Sequence, residues 1–165
     1  VWGRPKADTH ESSKPLEPLA FRQIMVPLSG DADDEKLVQA ACRLSHLSKA
    51  KLVAVHVVEV PMSLPVDAPS PEEANEADRI MHRADQLASQ LQLHKVILRA
   101  REAGPAIVEH AISSGADLIF MGVRIKRRLG VASLGRTTTY VLREAPCAVW
   151  VADLALPSEA QRSLN

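Results

Sequence analysis

The chain predicts an α/β protein with a doubly wound parallel sheet. Two observations carry this. Short apolar runs alternate with helical patterns from Phe21 onward, and the runs are near-continuous in Val, Ile and Leu, as strands become when helices cover both faces of a sheet. A length of 165 residues provides one sizeable core and not two.

Taken in order, "QIMVPL" (Gln23–Leu28) is a buried strand stopped by "SGDAD". Asp31 or Asp33 is placed to cap the next helix, whose apolar positions Leu37, Ala40, Ala41, Leu44 and Leu47 keep a 3–4 spacing. "KLVAVHVVEV" is the second strand, after which Pro61, Pro65, Pro69 and Pro71 interrupt regular structure. A strong helix follows, capped by Ser70 with Pro71 at its first position and acids in its first turn. "KVILRA" (Lys95–Ala100) is a third strand, and "GPAIVEHAISSG" a short helix opened by Gly104-Pro105 and closed by Gly115. "DLIFMGV" is a fourth strand, "TTTYVLRE" (Thr137–Glu144) a fourth helix and "CAVWVA" a fifth strand.

The expected organisation is a linker over 1–20, one domain over 21–153 and a flexible tail over 154–165. The opening segment is polar, carries three prolines and does not begin with Met. It reads either as a linker within a longer protein or as a processed terminus. Lys+Arg and Asp+Glu are equal at 20 each, so bulk charge gives no case for nucleic-acid binding. Cys42 and Cys147 sit in apolar company and read as reduced core residues, which points to a cytoplasmic setting. No apolar run reaches the roughly 18 residues of a membrane span.

In such sheets ligands collect at the carboxyl ends of the strands, where strand order reverses. The loop after the fourth strand lies on that edge and holds Arg124, Lys126, Arg127, Arg128 and Arg136 without an acid between them. "GVASLGRT" (Gly130–Thr137) is one residue from the phosphate-loop pattern, with Arg136 in place of Lys. Seven residues separate Gly122 from Gly130, and too little chain follows Thr137 for a metal-holding strand, which argues against that hydrolase class. Two readings of the loop stay open. The start of the fourth helix, with its free N–H groups and threonines, is suited to an anion; alternatively Thr137 caps the helix and the arginines are solvated. The acids Asp31, Asp33, Asp34 and Glu35 read as an ordinary helix start. His56 reads as a core or strand-end residue. The histidines show no metal spacing and neither cysteine has a catalytic partner, so no catalytic or metal-ligating residue is assigned.

The stretches "IMVPLSG", "LVAVHVVEVP", "GADLIFMG" and "APCAVWV" together resemble the universal stress protein family over nearly all of Phe21–Ala152. The resemblance implies a five-stranded parallel sheet in order 3-2-1-4-5 and homodimers built through the last strand. ATP-binding members of that family carry G-x-x-G, nine residues, then G-[ST] after strand four. Here the glycines fall on Gly122, Ile125 and Gly135, and the hydroxyl position on Arg136, with Thr137 one residue late. The family's acidic residue after V-P-x is Ser29. The implied site has Gly122, Arg124, Gly135, Arg136, Thr137 and Thr138 facing phosphates, and Ser29 with Val57 and Val58 facing base and ribose. The expected function is a non-catalytic sensor of an adenine nucleotide such as ATP or AMP. The "VVEVPMSLP" continuation and the linker-like start are similar to stress-protein domains on amino-acid permeases and cation antiporters, implying a covalently attached transporter membrane domain. The alternatives are a ligand-free dimerisation or interaction module with a degenerate site, and a slow ATPase, for which no base or metal ligand is found.

Overall fold

Alternating inward side chains build the sheet. In β1 (Gln23–Leu28), Ile24 and Val26 face one layer while Met25 faces the other. β2 (Lys51–Glu59) divides Leu52 and Ala54 from Val53 and Val55, and β4 (Leu118–Val123) divides Leu118 and Phe120 from Ile119 and Met121. The first set packs on α1 (Asp34–Ser48) and α2 (Pro71–Leu87). The second packs on α3 (Ala103–Ser114) and α4 (Arg136–Glu144). The computed structural model describes residues 20–123, 126–128 and 131–154. Residues 1–19 of the expected linker, residues 155–165 of the expected tail, Arg124, Ile125, Leu129 and Gly130 lie outside the described residues, as do the side chains of 126–128, 131 and 132.

With β3 (Leu93–Ala100) and β7 (Ala148–Asp153), the strands form a five-stranded sheet in order β3-β2-β1-β4-β7, every neighbour parallel. This is the doubly wound fold read from the sequence, its fifth expected strand being β7. β5 (Lys126–Arg128) and β6 (Val131–Ser133) add a small antiparallel ladder, in register Lys126↔Ser133, inside what the sequence offers only as a loop.

α2 starts as expected, with the Ser70 hydroxyl accepting from the Glu73 amide and Pro71 leading the helix. Gly115 closes α3 at φ 68°. The start of α1 differs. Asp33 holds the cap position but makes no capping bond with its side chain, and the Asp31 carboxylate accepts the Asp33 amide instead. Leu47, expected inward, is 82% exposed. Lys49 adopts φ 55° and ends the helix, and Ser45 is buried in this last turn, donating its hydroxyl to the Ala50 carbonyl at 2.7 Å.

Candidate functional site

β1 pairs with β2 over six positions but with β4 only at Ile24↔Leu118 and Met25↔Ile119. Pro27 sits in this central strand without an N–H to give, so one ladder must stop there. The ladder with β4 is the one that stops, while β4 continues along β7 to Val123↔Asp153. The parting of β1 and β4 opens a cleft of about 620 Å³ at the carboxyl edge, where strand order reverses.

The floor of the cleft is apolar: Val55, Val57, Leu37, Ile107 and Met121 line it. Ser29, Val57, Val58, Gly122, Gly135, Thr137 and Thr138, all expected at the site, are brought together here. Arg136 opens α4 with an exposed side chain and is not among the lining residues, and Arg124 lies outside the described residues. Thr137 does not cap α4. The helix starts one residue earlier, at Arg136, with Gly135 at the cap position and no side-chain cap. Among the described residues no group of metal-holding side chains occurs. Burial pushes the Cys42 and Cys147 thiols up, the wrong direction for a nucleophile.

Carboxylates line the wall: Asp31, Asp33 and Asp34, which the sequence presents as an ordinary helix start, and Glu59, Glu73 and Glu76, to which it assigns no site role. Their bonds show what each is for. Glu73 is held by Arg99 at 3.1 Å, Glu76 by Arg79, and Asp33 lies 3.9 Å from the Lys36 ammonium. Glu59 accepts the Ala103 amide at 2.7 Å and so fills the N-terminus of α3. Asp34 turns back on β1, accepting the Gly30 amide at 2.6 Å and the Ser29 amide and hydroxyl at 3.2 and 3.3 Å. Burial raises the Asp34 carboxyl above its ordinary value, an effect opposed by the two amides. The signal that marks Asp34 is its place six residues after the strand end, with Gly30 in a left-handed turn (φ 91°) between them.

His56 also lines the cleft, and its Nδ1 is bonded to the Leu28 carbonyl at 2.9 Å. Where the sequence offers a core or strand-end residue, His56 lies inside β2, half-buried and three residues before the strand ends.

The glycines separate by cause. A Cβ on Gly30 would come within 2.7 Å of Ile80 Cδ1, and one on Gly122 within 3.3 and 3.4 Å of Leu154 and Leu37. Leu154, the first residue of the expected tail, is thus packed, and its carbonyl accepts from Lys36 at 3.1 Å. Gly135 is different: φ is −66° and a Cβ there would meet nothing within 4 Å among the described residues. Neither backbone conformation nor packing within the described fold asks for glycine at this point of the cleft wall.

The model of the universal stress protein family matches residues 20–153. The chain belongs to that family. A Thermus aquaticus relative described as the universal stress protein in the QAH/OAS sulfhydrylase 3′ region is 30% identical over 134 residues, covering 78% of this chain and 96% of its own. Among solved structures, a universal stress protein in complex with cAMP superposes with a TM-score of 0.64 at 19% identity, over 82% of this chain and 99% of that one. The universal stress protein from Archaeoglobus fulgidus in complex with dAMP gives a TM-score of 0.64 at 17% identity, over 82% and 100%. The described part of this universal stress protein domain has no helix long and apolar enough to cross a membrane.

Proposed function

We propose that this domain is a non-catalytic sensor of an adenine nucleotide, with the phosphates at the start of α4 and the adenosine over the apolar floor. The observation that carries this reading is how the edge of the sheet spends its anion-binding groups. Backbone amides at a helix start or a strand-end turn attract anions. The turn after β1 is taken by Asp34 and the start of α3 by Glu59. α4 begins with no side-chain cap, behind a glycine that the fold itself does not need. Thr137 and Thr138 stand beside it in the cleft wall, and the loop cations precede it in sequence. Two relatives of the same fold are named for adenine nucleotides, which favours that ligand class.

Titration of ¹⁵N-labelled domain with AMP tests this. The amides of Gly135, Arg136 and Thr137 should shift most, together with those of Val57 and Val58. Saturating AMP without shifts at Gly135–Thr137 sinks the placement.

A second reading, an interaction module, is favoured by β7. It is an edge strand, with Trp150 and Val151 37% and 36% exposed and Trp150 packed edge-on against Phe21 at 5.3 Å. In both readings two copies pair along β7, and light scattering of the purified domain should return twice its monomer mass. The regulated partner in our proposal is a transporter membrane domain joined through the opening segment, and co-purification from the native membrane tests it.

A further inference from the structure

We propose that Asp34 reads the sugar of the ligand, so that the cleft selects ribonucleotides over nucleotides lacking ribose hydroxyls. This rests on the nucleotide reading above. The site is the cleft; Asp34 is the specificity-determining residue within it.

The case rests on how the carboxylate is held. Asp34 accepts from three donors, two of them backbone amides in the turn after β1, and it lines the cleft. That fixes its rotamer before any ligand arrives, which lowers the ordering cost of a further bond. A carboxylate offers about four acceptor positions across two oxygens. In Asp34, Oδ1 takes Ser29 twice and Oδ2 takes only Gly30, so acceptor capacity remains on a side chain that lines the cleft. A vicinal diol supplies the hydroxyl donors that such an acceptor prefers, and carboxylates serve this purpose in other sheets of this architecture. Phosphate is repelled by the same charge and goes to the opposite wall, at α4.

The other carboxylates are less suited. Glu73, Glu76 and Asp33 are turned to Arg99, Arg79 and Lys36, and Glu59 spends an oxygen on α3. Asp34, the first residue of α1, is bonded to the turn that follows β1, the strand that parts from β4 to open the cleft, whereas Glu59 ends β2, one strand further away.

The test compares AMP with 2′,3′-dideoxy-AMP by calorimetry on the whole chain, with wild type, Asp34→Asn and Glu59→Gln. A hydrogen bond to a charged group predicts that wild type binds AMP about tenfold or more tightly than the dideoxy compound. In Asp34→Asn, shown folded by its thermal transition, that ratio should fall toward one. Equal wild-type affinities overturn the inference and leave the nucleotide reading standing. So does an unchanged ratio in Asp34→Asn, or loss of the ratio in Glu59→Gln instead. Binding of neither compound to wild type removes both proposals.

Discussion

The carboxylate of Glu59 holds the amide of Ala103 at 2.7 Å, joining the end of β2 to the start of α3. That bond fills the start of α3 and Asp34 fills the turn after β1, while α4 starts in the cleft wall behind Gly135 with no side-chain cap among the described residues.

Two glycines should therefore fail in different assays. Gly30→Ala forces a side chain into a left-handed turn and against Ile80, and should cost about 1–3 kcal/mol in urea unfolding. Gly135→Ala needs no change of backbone and meets no described neighbour. Its stability should stay within about 1 kcal/mol of wild type, while AMP affinity falls about tenfold or more. A Gly135→Ala domain that binds AMP like wild type would place the ligand elsewhere.

Asp117 predicts an acid-dependent effect. Its carboxylate accepts the Arg22 amide at 2.6 Å and the Gln23 amide at 3.0 Å, tying the start of β1 to the start of β4, and these bonds hold its pKa below the ordinary 3.8. A group whose folded pKa is depressed adds stability above its unfolded value and loses it as pH falls through the folded value. Asp117→Asn should cost about 1–2 kcal/mol at pH 7, and the deficit should shrink below the unfolded value near pH 3.8. A deficit independent of pH between 7 and 3 would contradict this.

Arg99 fixes the proline-rich connection between β2 and α2. Its Nε donates to the Val66 carbonyl at 2.9 Å, one terminal nitrogen to the Ala68 carbonyl at 2.9 Å and the other to Glu73 at 3.1 Å. Lysine carries the charge without the fork, so Arg99→Lys should lose about 1–2 kcal/mol. Cleavage between residues 61 and 70 by a dilute protease should quicken. Unchanged cleavage would show that the prolines alone hold the segment.

The sheet was legible because its signal is local. "QIMVPL" and "DLIFMGV" can be little other than buried strands, and Ser70-Pro71 and Gly115 mark helix ends by their own backbone chemistry. Gly122, Gly135, Thr137 and Thr138 were legible through topology and family spacing, and they do share one cleft. What periodicity could not convey was long-range bonding. Leu47 keeps the helical spacing yet is exposed because α1 ends beside it, and Ser45 is buried through its bond to Ala50. Asp34 reads as part of an ordinary helix start and Glu59 carries no role in the sequence, until the fold brings them to Gly30 and Ala103. Arg136 looked like a phosphate ligand from its place in the motif, but its side chain leaves the cleft lining.

The central claim is that an adenine nucleotide enters the cleft with its phosphates at α4. Calorimetric titration of the purified domain with AMP and ATP at low and high salt tests it most directly. The account predicts saturable binding of at least one of them, weakened by salt as screening reduces the attraction between phosphate and the cationic loop. No heat with either nucleotide, from a domain shown to be folded, would contradict it and favour the interaction module.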